Sequence, residues 1–212
     1  FSSIEFNKSG YILHKDEVVS IADLVIGKRI RCHYRSSLNQ VGLFSGLGRK
    51  TTKFIPRQGC LEPDGDFYFI MVEEENGVKK LIADRNIQDG ISWDLLDDFI
   101  TRNSKETTFK IGKQELHIKL PSGGTSPNDI ENDWDKYIVQ SNLNGLIIPG
   151  DNDVWNWKGI YSWTSSIPNN NITRRTVRGR FSVEKWQDGA EWKTTNGTEI
   201  GKIFHAIGFR PV

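Results

Sequence analysis

Acids, thiols and imidazoles are the side chains here that could do chemistry, and their spacing narrows what that chemistry would be. Asp129, Glu131, Asp133 and Asp135 alternate as the oxygen ligands of a calcium loop would. No Gly supplies the sharp turn of such a loop and no bidentate Glu closes it, so the run reads as a solvated, helix-initiating acidic segment. Asp151-Asn152-Asp153 is a second short acidic pattern, read as a turn. Cys32 and Cys60 have no His or Cys at zinc spacing, and a disulfide between them is left open. His14, His33, His117 and His205 stand in no motif that pairs a base with a nucleophile. Carboxylate pairs for glycan hydrolysis could be drawn from Glu131, Asp133, Asp151 and Asp188, but any chain this rich in acids offers such pairs. The expectation is a protein that is not an enzyme, with no catalytic residue, no metal and no cofactor.

Recognition is the remaining chemistry, and tryptophan says where to look for it. Six of the seven Trp lie between Trp134 and Trp192, and the first 92 residues contain none. Trp carries a broad apolar face and one N–H that needs a partner, which suits both packing and ligand contact.

The bulk numbers bound the partners. The 212 residues are 36% hydrophobic and 26% charged, which is ordinary globular composition. Formal net charge is +1, with 13 basic and 15 acidic side chains in residues 1–100 and 15 and 12 in the remainder. That balance lacks the cationic excess with which proteins neutralise phosphates, so no nucleic-acid partner is expected. No apolar run approaches the ~20 residues of a membrane span, and no signal peptide is evident, so membrane insertion is not expected. The chain starts at Phe1 without Met, which reads as a processed or excised part of something longer.

The elements that must position these residues are mainly β. Residues 18–21, 29–34, 42–44, 67–72 and 78–83 are short β-branched or aromatic runs between Gly, Pro, Asn and Asp signals. Asn76-Gly77 between two of them predicts a hairpin, because both residues tolerate positive φ. Trp93, Leu96 and Ile100 at helical spacing predict a helix, and the polar residues 101–106 after it read as a linker. Beyond it, alternation predicts a strand over 115–120 and a helix over about 133–141 carrying Trp134, Tyr137 and Ile138. Hence the expected organisation is a β-sandwich over residues 1–104 followed by an α+β part over residues 105–212.

The later residues carry a resemblance. Trp157 and Gly159, Ser162-Trp163-Thr164-Ser165, Arg174 and Arg175 ahead of Val177-Arg178-Gly179, and the closing Gly208-Phe209-Arg210 resemble the C-type lectin-like fold in its bacterial and phage form. That fold is shared with the formylglycine-generating enzymes and with variable proteins diversified by retroelements. Residues 132–163, with Phe67-Tyr68-Phe69-Ile70, residues 80–88 and Ile91-Ser92-Trp93-Asp94, are similar to proteins of phages and prophages of Bacillus and related Firmicutes. The resemblance implies a C-type lectin-like domain over 105–212 and a receptor-binding, host-attachment tail protein on the virion surface. Its ligand would be a bacterial cell-surface polysaccharide or surface protein, with other virion proteins as neighbours and homo-oligomerisation left open. The alternatives are a phage-associated cell-wall hydrolase and a purely structural virion protein.

The oxidase chemistry of the formylglycine-generating group needs a cysteine pair in the C-terminal half, which this chain lacks. Glu62-Pro63-Asp64 is similar to the tripeptide with which calcium-dependent lectins hold sugars, but it stands in the other half and before a strand, so it reads as a turn. Arg178, Gly179, Gly208, Phe209, Arg210, Trp157 and Trp163 read as framework. The loops between them, residues 166–171 and 180–199, are then the expected binding surface, with Asn169, Asn170, Asn171, Arg180, Lys185, Trp186 and Trp192 as candidate ligand contacts.

Overall fold

The computed structural model describes residues 13–51, 53–104, 109–191 and 207–212. Within them the chain is mainly β with few helices. Strands β1 (Glu17–Val18), β2 (Arg29–Arg35), β3 (Leu43–Ser45), β4 (Asp64–Glu75) and β5 (Val78–Ala83) form one sheet. In it β2 lies between β4 on one side and β1 and β3 on the other, and β5 is the far edge. After β6 (Gln88–Asp89) come helix α1 (Trp93–Ser104) and the small hairpin β7 (Phe109–Ile111) and β8 (Gln114–Leu116). A π-helical turn (Trp134–Val139), the short helix α2 (Asn152–Trp155), β9 (Tyr161–Trp163), β10 (Arg174–Gly179), β11 (Trp186–Glu191) and β12 (Ile207–Phe209) complete the chain. The second sheet runs β11-β10-β9-β12-β6, so β6 from the first hundred residues is its edge strand.

Strand β4 shows how pattern becomes packing. Its run from Gly65 to Val72 is buried without interruption, because both faces of the strand are covered. Phe67, Phe69 and Met71 point to one side, into a cluster that also holds Ala83, Ile87, Trp163, Val177 and Phe209. Ile70 and Val72 point to the other, toward Trp134, Tyr137, Ile138, Trp155 and Val212. Alternation with period two therefore joins the first sheet to residues of the last third through two separate apolar clusters. At the far end of β4, Asn76 and Gly77 turn the chain with φ of 51° and 78° and pair β4 with β5 in the expected hairpin.

Three local expectations are corrected. Residues 101–104 are the last turn of α1 rather than linker, since a polar composition alone does not stop a helix and no Gly or Pro stands there. Ser92 Oγ accepts from Leu95 N–H at the helix start, while Trp93 and Leu96 are buried on its inner face. Residues 117–120 do not continue β8. Ile118 and Leu120 are buried, and Lys119 exchanges both backbone hydrogen bonds with Val212, at 3.0 and 2.8 Å, which anchors the chain end. The predicted helix over 133–141 is a six-residue π-helical turn in which Gln140 N–H reaches Asp135 O. Trp134, Asp135, Tyr137 and Ile138 are the buried residues of this turn.

Candidate functional site

The interior beneath β9 and β10 is tied by two arginines. Arg178, on β10, makes a two-pronged pair with Asp135, Nη1 to Oδ2 at 2.6 Å and Nη2 to Oδ1 at 2.7 Å, and Nη1 also donates to Gly123 O. Asn132 Nδ2 donates to the same carboxylate at 2.7 Å. Arg210 is fully buried, donates to Ala83 O at 2.8 Å and Ser162 Oγ at 3.3 Å, and its pKa is pushed down to about 9 by that burial. Its guanidinium lies 5.5 Å from the Trp134 ring centroid.

The acidic run is thus solvated only in part, with Glu131 exposed and Asp135 buried. Asp135 holds Arg178, Asp133 bonds Lys80 and Ser122, and Asp129 accepts from Thr125 N–H and Oγ1. Burial alone would raise the pKa of Asp133, and the bonds from Lys80 and Ser122 outweigh it and hold it below the usual value. Among the described residues no group of three or more His, Cys, Asp or Glu is placed to hold a metal ion. Both thiols are free, and Cys32 is buried with its pKa pushed up to about 12 by desolvation.

His33 is drawn between two acids. Nδ1 lies 3.0 Å from Asp66 and Nε2 3.0 Å from Asp64. Ser45 stands opposite His33 in register on β3, but neither ring nitrogen is left to take a proton from it. The arrangement ties β2 to β4 and offers no general base.

The surface with recognition chemistry lies where β10 ends. Gly179 and Arg180 both have left-handed backbones, φ 90° and 70°. A Cβ on Gly179 would meet Trp157 O at 3.3 Å and the Trp134 ring at 3.4 Å, so glycine answers both the conformation and the space. Arg180 has no such excuse: it is a non-glycine residue in a region that costs side-chained residues energy. Its backbone is held on both sides, its N–H donating to Trp157 O and its carbonyl accepting from Gly159 N–H, each at 2.9 Å. From there the guanidinium lies 5.3 Å from the Tyr161 ring and 5.0 Å from that of Phe181. Phe181 meets Tyr161 edge-on at 5.9 Å and 85°, yet remains 69% exposed. Tyr161 is itself buried and donates its hydroxyl to Gln187 Oε1; burial raises its pKa and Arg180 opposes that.

The candidate contacts separate into two groups around this strand. Arg180 and Lys185 bracket the β10–β11 turn, where Lys185 is exposed. Trp186 opens β11 half-buried, its Nε1 donating to Gly124 O at 3.1 Å, and Asn169 N–H donates to the adjoining Thr125 O. Those two therefore meet across residues 124–125. Asn170 is exposed, while Asn171 spends its amide oxygen on Thr173 N–H and Oγ1, an Asx turn that leads into β10. The Asn loop and Arg180 sit at opposite ends of six-residue β10, about 20 Å apart at the usual strand rise. Trp192 lies outside the described residues.

Sequence reasoning missed Phe181, although it falls within the loop named for binding. Its signal was an aromatic directly after Gly179-Arg180, but only the packed structure shows which way that ring faces. No family model matches the chain, and neither a curated protein nor a solved structure matches it.

Proposed function

We propose that this chain is a host-attachment protein of a Firmicutes phage or prophage particle, not an enzyme, that binds a bacterial cell-surface polysaccharide or surface protein. The reading includes a sandwich-like part over 1–104 and a C-type lectin-like part over 105–212, located at the virion surface among other virion proteins. The observation that carries it is the Arg180–Phe181 platform. An exposed aromatic backed by a stacked guanidinium, on backbone fixed by two hydrogen bonds, presents an apolar face and charged donors to a sugar ring or a protein side chain without an ordering cost. Trp186 and Asn169 belong to a second surface around residues 124–125, apart from this platform. The acids proposed for glycan hydrolysis support the enzyme alternative poorly, because Asp133 bonds Lys80 and Asp188 pairs with Arg174 at 3.2 Å.

Co-sedimentation with purified walls from a panel of Firmicutes, scored for retention and for released sugar or peptide, tests the function. Retention without release supports attachment, release makes it a hydrolase, and neither on any wall leaves a structural virion protein. The boundary has its own check. Limited proteolysis after residue 104 should leave two fragments that co-elute in size exclusion, because the clusters on both faces of β4 hold residues from either side of that point. Fragments that separate without denaturant would refute the shared core.

A further inference from the structure

One face of β2 carries Arg29, Arg31 and His33 at alternate positions, opposite Ile70, Tyr68 and Asp66 of β4. Two of these three basic groups are matched. Arg31 pairs with Glu17 at 2.7 Å, and His33 lies between Asp64 and Asp66. Arg29 is 5% exposed and has no hydrogen-bond acceptor or carboxylate partner for its guanidinium among the described residues, and its Nε is a sealed donor without an acceptor. Its guanidinium lies 5.4 Å from the Tyr68 ring centroid.

The carboxylates that could have served it are already engaged. Asp16 holds Lys28 at 3.2 Å, Glu17 holds Arg31 and the Tyr68 hydroxyl, and Asp84 holds Arg85 and Tyr68 N–H. A buried charge without a partner is among the costliest arrangements a fold can keep, and desolvation accordingly lowers the Arg29 pKa. The side chain does not end in a blind interior. It lines a cavity of about 320 Å³ together with the basic His14 and Lys15, the carboxylates Asp16 and Asp151, and the apolar Leu146 and Ile148; Asp16 is already held by Lys28. His14 Nδ1 accepts from Asp16 N–H, so in the neutral ring Nε2 is the donor.

We propose that this cavity binds an oxyanion, the carboxylate or phosphate group of a hydroxylated small molecule or sugar unit, with Arg29 as its counter-ion. A planar guanidinium matches either group with two parallel donors, Lys15 adds a mobile second cation, and Leu146 and Ile148 receive the carbon skeleton. The site is separate from the Arg180–Phe181 platform and does not depend on it.

Calorimetric titration of the full chain with glucuronate, with glycerol phosphate and with glucose tests the proposal. Saturable binding of either anion but not of glucose is expected, and which anion binds assigns carboxylate or phosphate as the source. Arg29→Met should weaken that binding at least tenfold and raise Tm, because the unpaired buried charge is gone. Leu146→Trp fills the cavity from the opposite wall, leaves Arg29 in place, and should abolish binding, so the proposal stays falsifiable should the Arg29 variant misfold. No binding of either anion at about 10 mM, equal binding of glucose, or unchanged affinity in a folded Arg29→Met would each overturn it.

Discussion

Arg178 on β10 and Arg180 just beyond its end stand two residues apart and obey opposite rules. Arg178 is buried, its two terminal nitrogens bonded to Asp135 and backbone carbonyls while its Nε has no acceptor among the described residues. Arg180 sits just past the strand end on a left-handed backbone, half-buried, its guanidinium against the Tyr161 and Phe181 rings. In the first region the fold uses charge to fix loops against a sheet, where a lost partner leaves an unpaired ion in the interior. In the second it uses backbone geometry to hold charge and an aromatic outward, where a lost side chain costs contact with something outside the molecule. Stability effects should therefore concentrate at Arg178 and binding effects at Arg180.

The largest expected effect is at the interior pair. Arg178→Met strands Asp135 and should cost about 3–5 kcal/mol in urea unfolding, whereas the double change with Asp135→Leu should recover most of it. A single mutant within about 1 kcal/mol of wild type would erase the contrast. At the strand end the expectation reverses. Phe181→Ala should cost under about 1 kcal/mol of stability, since the ring is largely exposed, but about 2 kcal/mol of wall binding, roughly thirtyfold. Arg180→Gly sharpens this, because glycine suits φ 70° and should leave stability unchanged or improved by up to about 1 kcal/mol while binding falls. Full retention on walls by both variants would refute the platform.

Acid should destabilise the fold through its paired carboxylates. Asp133 is held below its ordinary value of 3.8: burial would raise it, and the bonds from Lys80 and Ser122 outweigh that. A carboxyl with a lowered folded pKa adds stability that is fully present above the unfolded value and is lost as pH falls through the folded one. Urea midpoints should thus hold down to about pH 4 and decline below it, with Asp133→Asn showing a shallower decline than wild type. The smallest effect is expected at the hairpin edge. Glu74 and Lys79 pair across β4 and β5 at 3.2 Å on an exposed surface. Glu74→Gln should change stability by less than about 0.5 kcal/mol.

Legibility in the sequence followed the range of the forces involved. The Asn76-Gly77 hairpin and the helix at Trp93 were readable because turn conformation and 3.6-residue spacing are local properties. The end of α1 was misread because polar residues mark exposure rather than helix termination. The acids before Tyr137 were misread for a different reason: Asp135 meets Arg178 across 43 residues of chain and Asp133 meets Lys80 across 53. No spacing rule reaches that far. Of the candidate binding residues, the sequence could name Arg180, Lys185 and Trp186 from composition, but it could not show that the Asn169 loop lies at the other end of β10 or that Phe181 faces outward.

The sequence by itself determined a mainly β chain, the hairpin at Asn76-Gly77, and a last third in which Trp is concentrated. These follow from side-chain type, turn chemistry and period, which act over a few residues. Only the tertiary structure decided that β6 joins the second sheet, that β4 is covered on both faces, that Asp135 neutralises Arg178, and that Arg29 lies beside a cavity with no hydrogen-bond partner for its guanidinium among the described residues. The physical reason is that a buried charge is defined by what lies within about 4 Å of it, and those neighbours are set by the packing of distant segments.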